Sequence, residues 1–263
     1  MPHPNQITQA QLLRLIGTPD APTIVDVRIP DDIARDPRQI PGSTLRPYDQ
    51  FSASDLTGRV VVVCAMGRKL SEGVAALLRA SGTPAEVLEG GTVGWGRAGL
   101  PMTAIANLPA TNLWVTRHRP KIDRIACPWL IHRFVDRHAR FLFVAPGEVA
   151  SVAERFNATP FDIEGTFYSH RDDTCTFDTM LEQWSLQTEA LQRLALVVRA
   201  ADTDRHDLSP QAAGLLAISV GLSRQFRDDL QQLAVGMTLY DALYRWARDG
   251  HDEGHDWPAG RAS

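Results

Sequence analysis

The chain has 263 residues, 44% hydrophobic and 22% charged, with 27 basic against 31 acidic side chains for a formal net charge of −4. Such a length can bury one large or two ordinary cores, and the composition excludes disordered and fibrous classes. The slight negative balance excludes a surface that grips nucleic acid or an anionic membrane as a whole, so neither is an expected partner. No apolar run approaches the ~18 residues of a membrane span, and the start Met1-Pro2-His3-Pro4 lacks a basic region followed by an apolar core. Three cysteines, an odd number, suit a reducing compartment, and a cytoplasmic protein without structural disulfides is expected.

Thr8 to Ile16 places Leu12, Leu13 and Ile16 on one face and reads as a short helix ended by Gly17. Thr23 to Arg28 reads as a strand, Pro30 to Gln39 as irregular, and Ile40-Pro41-Gly42-Ser43 as a turn. Val60 to Val63 is a β-branched run bounded by Gly58-Arg59 and a loop, the pattern of a strand buried on both faces. It stops at Cys64. Val74, Leu77 and Leu78 then recur at helical spacing, which predicts a helix from Ser71 to Ser81 with Ser71 as its N-cap. Ala85 to Leu88 is a strand and Glu89-Gly90-Gly91 a turn. Strands alternating with helices imply a parallel α/β sheet.

Cys64 thus falls between the carboxyl end of a buried strand and the amino end of a helix, where backbone N–H groups converge and the helix dipole is positive. Such positions lower a cysteine pKa from about 8.5 to roughly 3.5–7.5 and supply a nucleophilic thiolate. Arg68 and Lys69 add to the field, Gly67 lets the backbone turn inward, and Ala65, Met66, Gly67, Arg68, Lys69, Leu70 and Ser71 form the expected substrate-binding loop. The plainer alternative is a buried, inert cysteine in a docking module. Asp26 and Arg28 read as a structural pair at strand ends.

Val25-Asp26-Val27-Arg28, Ile40-Pro41-Gly42-Ser43, Cys64-Ala65-Met66-Gly67 and Leu88-Glu89-Gly90-Gly91-Thr92-Val93-Gly94-Trp95, followed by Ala98-Gly99-Leu100-Pro101-Met102, resemble the rhodanese family in content, order and spacing. The resemblance implies that residues 1–105 form a five-stranded parallel sheet with helices on both sides. It implies that Cys64 takes a sulfane sulfur from a small-molecule donor as a persulfide and passes it to a thiol or cyanide acceptor, with no cofactor. One feature departs from the pattern. Aligned on Ser71 and Leu77-Leu78, the loop is one residue longer than in common sulfurtransferases. In related phosphatases and arsenate reductases a longer loop takes a tetrahedral oxyanion, but it ends in arginine, and here that position is Leu70, which cannot chelate an anion. Sulfur transfer is therefore the first expectation, and reduction of chromate or arsenate the second.

Pro101 to Asn112 reads as a linker, which places a boundary at residues 106–112 and a second domain at 113–263. Asn112 to Arg117 is a strand. A helix follows from Ile125 to His138, starting near Cys127 because Pro128 fits only a first turn. Arg140 to Val144 is a strand, Gly147 to Phe156 a helix, and Pro160 to Ile163 and Thr166 to Ser169 short strands. Phe177 to Trp184, Glu189 to Ala201, Ser209 to Leu222 and Asp228 to Arg248 show helical periodicity. The domain is α+β and helix-rich.

Trp114 to Leu130, Phe161-Asp162-Ile163-Glu164-Gly165, Ser169-His170, Cys175-Thr176-Phe177-Asp178, Ala201-Asp202-Thr203 and Leu239 to Tyr244 resemble the C-terminal domain of the chromate resistance family. This implies a link to chromate stress and to metal or oxyanion sensing. Regulatory members of that family carry a DNA-binding domain in front, in whose place this chain has the first half, so control of transcription is not carried over. Arg117, Arg119, Lys121 and Arg124 form either a cradle for chromate or another oxyanion, or a salt-bridged loop. Glu164, His170, Asp178 and Asp202, within the matched blocks, suit iron, manganese or zinc; for a lone His170, a hydrogen-bonded structural role is the alternative. Cys127 and Cys175 read as core filling. His251, Glu253 and His255 belong either to a solvated tail or to a segment that folds back as a ligand. Three functions remain open: a sulfurtransferase coupled to a metal- or oxyanion-binding domain, a cysteine-dependent oxyanion reductase, and a non-catalytic metal or chromate sensor.

Overall fold

The computed structural model describes residues 5–50, 56 and 58–254. The first half runs β1 (Gln6–Ile7), α1 (Gln9–Leu15), β2 (Thr23–Asp26), α2 (Pro30–Arg35), β3 (Arg38–Gln39), β4 (Ser43–Leu45), β5 (Val60–Val63), α3 (Leu70–Ala80), β6 (Ala85–Leu88), α4 (Gly91–Arg97) and β7 (Thr103–Ala104). Its main sheet has five parallel strands in the order β1-β6-β5-β2-β4, with β5 in the centre. Alternation divides the four valines of β5 between two cores. Val61 and Val63 face Leu12, Ile24, Leu88 and Trp95, whereas Val60 and Val62 face Val25, Val74, Leu78 and Cys64. Each buried valine stabilises the sheet by about 1.5–3 kcal/mol. The segment expected to be irregular from Pro30 forms α2, with Pro30 in the first turn beside Asp31 and Asp32, where a missing N–H costs nothing and acids favour the dipole. Asp26 and Arg28 form a buried pair at 2.7 Å, and Arg28 also donates to the carbonyls of Asp36 and Arg38.

The second half runs β8 (Leu113–Arg117), α5 (Asp123–Phe134), β9 (Arg140–Val144), α6 (Val149–Phe156), β10 (Thr159–Pro160), α7 (Thr176–Gln183), α8 (Glu189–Asp202), α9 (Ala212–Gln225) and α10 (Asp229–Arg245). It is helix-rich, as the periodicity predicts. Its small sheet is parallel, in the order β10-β8-β9. α5 lies on one face, where His132 meets Phe141 edge-on, and α6 on the other, where Val149 packs with Val115. β8 therefore has its two neighbours connected over opposite faces, and the carboxyl ends of β8 and β10 flank a topological switch point, the place where open α/β sheets bind ligands.

Two expectations are corrected here. α5 starts at Asp123 rather than near Cys127, so Pro128 lies inside the helix. The lost N–H bond is outweighed by burial of Ile125, Ala126, Cys127, Trp129, Leu130 and Ile131. Thr166 to Ser169 forms no strand, only a single bridge from Tyr168 to Phe161.

The halves share one core. Ile16, Ile24, Leu88 and Trp95 belong to the same buried cluster as Trp129, Phe134 and Tyr244. Gly17, at φ +83°, packs so close that a Cβ would overlap the Phe134 ring. The connecting segment is pinned as well: Thr103 donates to the carbonyl of Trp184 and Asn107 to that of Gln183, both at 2.8 Å.

Candidate functional site

Cys64 follows β5 directly and is 6% exposed. Its Sγ lies 3.1 Å from the Ser71 hydroxyl and 3.2 Å from the Arg68 carbonyl, and accepts the Arg68 N–H at 3.4 Å. The loop is tied down from outside, since the opening amides of α4, on Thr92 and Val93, donate to the carbonyls of Cys64 and Ala65 at 3.0 Å. Gly67, at φ +66°, fits against the backbone of Leu88 and Gly91, where a Cβ would collide. Met66 stands 50% exposed, and Arg68 and Lys69 are exposed too, so their field at the sulfur is screened by solvent.

Ser71 is not the N-cap of α3. The helix starts at Leu70 behind Lys69, whose φ of 37° and ψ of −87° strain the backbone where the helix begins. Leu70 packs against the core around Cys64, which draws the helix start back by one residue. The Ser71 hydroxyl serves the loop instead, 3.1 Å from the Arg68 carbonyl. An apolar side chain thus closes the loop where an oxyanion enzyme needs a guanidinium.

A second constellation sits at the switch point. Asp123 opens α5, Asp162 follows β10, Asp202 ends α8, and His170 lies on the loop between β10 and α7. His170 Nε2 is 3.1 Å from Asp202, 3.4 Å from Asp162 and 3.6 Å from Asp123. One ligand atom each from Asp123, Asp162 and His170 lies within 4.8 Å of the others. Helix starts help to hold the acids. Asp123 accepts the first N–H of α7, from Thr176, at 2.6 Å, and Asp202 accepts the first N–H of α5, from Asp123, at 3.4 Å. Asp162 accepts the Thr176 hydroxyl and pairs with Arg117 and Arg124 at 3.0 and 3.2 Å. Asp123 is 1% exposed, and its Oδ1 is buried without a hydrogen-bond partner. Ile122, at φ 40° and ψ −101°, and Asp162, at φ 54°, hold strained backbone here, at about 1–3 kcal/mol each.

The charges act strongly on one another. Burial, then the nearby charges of Asp202 and Asp162, push the Asp123 carboxyl well above its usual range. Burial also raises Asp162, but hydrogen bonds from His170 and Arg117 outweigh it and leave that carboxyl below its usual value. Hydrogen bonds to Asp162 and Asp202 raise His170 to about 10. Two carboxylates and one imidazole form a hard-to-borderline donor set that fits iron, manganese or zinc.

The structure brings His170 and Asp202 together and separates them from the other two residues expected to bind metal. Asp178 accepts the Cys175 N–H at 3.1 Å and pairs with Arg199 at 3.3 Å, so it caps α7 rather than joining the cluster. Glu164 is exposed, on the rim of a cleft of about 530 Å³ that Arg117, Ser169 and His170 also line. The four basic residues form no common cradle. Arg117 and Arg124 turn to Asp162, Arg119 reaches the Ser223 carbonyl and Asp229, and Lys121 is exposed. Two members of the cluster, Asp123 and Asp162, are not among the residues that sequence reasoning picks out. Both lie beyond the carboxyl ends of strands of the small sheet, a placement that only the pairing of those strands reveals. Cys127 and Cys175 are buried among apolar side chains, and burial, followed by the charge of Asp123, pushes both thiols up. His251 pairs with Asp252 at 2.9 Å, Glu253 is exposed, and His255 lies outside the described residues. Among the described residues no helix is long and apolar enough to cross a membrane.

Both halves of the chain are similar to known proteins. Residues 114–247 match the family model "ChrB, C-terminal domain", and residues 8–98 match the rhodanese-like domain. Protein ChrB of Cupriavidus metallidurans is 32% identical over 133 residues, which span 50% of this chain and 39% of that protein. Among solved structures, a rhodanese-related protein of Thermoplasma volcanium shares 25% identity, covering 38% of this chain and 98% of that one at a TM-score of 0.33. A thiosulfate sulfurtransferase of Pseudomonas aeruginosa shares 28%, covering 38% and 19% at a TM-score of 0.31.

Proposed function

Since the chain belongs to the family of the ChrB C-terminal domain and carries a rhodanese-like domain in front of it, we propose that it is a sulfurtransferase of chromate resistance, with Cys64 as sulfur carrier and a second domain that binds a metal ion or an oxyanion. The carrying observation is the surroundings of Cys64 Sγ, which has the Ser71 hydroxyl at 3.1 Å and the Arg68 N–H at 3.4 Å. Both can donate to a thiolate or to the inner sulfur of a persulfide. In the forward step the Cys64 thiolate attacks the sulfane sulfur of a donor such as thiosulfate. An S–S bond forms at Cys64, the S–S bond of thiosulfate breaks, and sulfite leaves with the electron pair. A thiolate or cyanide then attacks the outer sulfur and restores the Cys64 thiolate.

Burial of Leu70 gives oxyanion reduction at Cys64 no support, because no guanidinium ends the loop. Transfer of sulfur from thiosulfate to cyanide, and the mass gain of one sulfur atom on the chain, test the reading. The wild-type chain shows both, and Cys64→Ala loses both to background. A wild-type chain inactive with thiosulfate and with aromatic thiosulfonates, and unable to hold the added sulfur, overturns it.

A further inference from the structure

We infer that the crevice at the carboxyl ends of β8 and β10 is a centre for one divalent first-row transition metal ion, of the class of Mn²⁺, Fe²⁺ or Zn²⁺, held by Asp123, Asp162 and His170, with Asp202 beside His170. This deepens the reading of the second domain as a metal- or oxyanion-binding part and rests on it.

Proton counting is the first argument. His170 Nε2 carries at most one hydrogen, yet carboxylate oxygens from three residues lie 3.1, 3.4 and 3.6 Å from it. One N–H can satisfy one of them, whereas a cation can take a donor atom from Asp123, Asp162 and His170 at once. The second argument is Asp123 Oδ1, a buried acceptor with no partner on a residue only 1% exposed. Leaving such an atom unpaired costs about 1–3 kcal/mol. Charge balance is the third. Arg117 and Arg124 both serve Asp162, and among the described residues only His170 lies within ion-pair distance of Asp123 and Asp202.

Placement agrees. The four residues come from four separate segments that meet at the topological switch point, and strained backbone at Ile122 and Asp162 fixes two of those segments. Two carboxylates with one imidazole nitrogen are too hard for copper(I), and the imidazole separates the set from the all-oxygen sites of calcium and magnesium. His170, its side chain 41% exposed, faces the cleft and leaves one side of the centre open to a small ligand.

The full chain, stripped with chelator, is titrated with Mn²⁺ by calorimetry and by loss of the free-ion paramagnetic resonance signal, then with Co²⁺ by visible absorption and with Zn²⁺ by elemental analysis. One equivalent per chain is expected. His170→Gln and Asp123→Asn should each weaken binding at least tenfold, while Cys64→Ala leaves it unchanged. Because His170 is exposed, its variant carries the test if Asp123→Asn does not fold. No saturable binding of any of the three ions below about 1 mM, or the same affinity in every folded variant, overturns the inference. If the metal-free chain binds chromate or sulfate but none of the cations, the inference fails and the broader reading of the domain stands. If it binds neither, both fail.

Discussion

At residues 64–69 the chain leaves the central strand β5 and begins α3 behind Lys69, at φ 37° and ψ −87°. At residues 118–122 it leaves another central parallel strand, β8, and begins α5 behind Ile122, at φ 40° and ψ −101°. The residues before the two helices have nearly the same backbone angles, and the chemistry is opposite. In the first turn the polar contacts to the sulfur among the described residues come from Arg68 and Ser71, within one continuous loop. In the second the helix opens on Asp123, and its companions arrive from β10, the following loop and the end of α8. A nucleophile needs one loop to shape its surroundings. The carboxylate constellation instead draws its members from several directions and is assembled by the whole domain.

The contrast extends to buried charge, and that is where a mutation should break it most sharply. Asp26, beside the cysteine turn, is matched by Arg28, and Asp26→Asn strands a buried guanidinium, which should cost about 3–5 kcal/mol. Asp123 has Asp202 and Asp162 as neighbours and a partnerless oxygen. Asp123→Asn in metal-free protein should leave stability unchanged or raise it, because a repulsion disappears. Urea unfolding of the two variants measures the difference. Equal losses would make the carboxylate cluster a structural network like the Asp26–Arg28 pair.

Next in size is the glycine that only the cysteine turn contains. Gly67→Ala would drive a Cβ into the Leu88 carbonyl at φ +66°, at a cost of about 2–4 kcal/mol by thermal or urea unfolding. A loss below about 1 kcal/mol, no larger than a surface substitution gives, would mean that the loop is free to move away from α4.

A smaller effect comes from the far end of α5, where the halves meet around Ile16, Pro41 and His132. Burial lowers the His132 pKa, despite the hydrogen-bond partner at the Arg137 carbonyl. The folded chain therefore binds the proton less well than the unfolded one. Stability is complete above the unfolded value of about 6.5 and falls as pH drops from there towards the folded pKa. The wild-type melting temperature should decline between neutral and mildly acid pH by a few degrees more than that of His132→Gln. Parallel curves would mean that the ring is solvated in the folded chain.

What can be read from sequence follows the same division. Four valines ending in a cysteine are contiguous, so β5, its sheet and the residue at its tip are legible from local pattern. The start of α3 is not, because Ser71 is a good N-cap by type, whereas the pull of Leu70 into the core exists only in three dimensions. At the carboxylate site His170 and Asp202 stand out as residue types, but Asp178 is equivalent to them in sequence and differs only because α7 turns it into a cap for Cys175. Asp123 and Asp162 give no local sign. Their meeting depends on β10 pairing with β8, a contact between residues 159 and 114 in sequence.

The finest test of the comparison lies in the strained residues that precede α3 and α5. Ile122 is buried, so replacing it would mix strain with lost packing. Lys69 is exposed and has no side-chain cap bond, so Lys69→Gly removes the strain with little else. The variant should gain about 0.5–1 kcal/mol, read as a rise in melting temperature. If sulfur transfer falls while stability rises, the strain holds the Arg68 N–H on the sulfur, and the cysteine turn sacrifices stability for chemistry. If activity is unchanged, the strain at Lys69 only follows from Leu70 packing into the core. The similarity of the two turns is then one of shape alone.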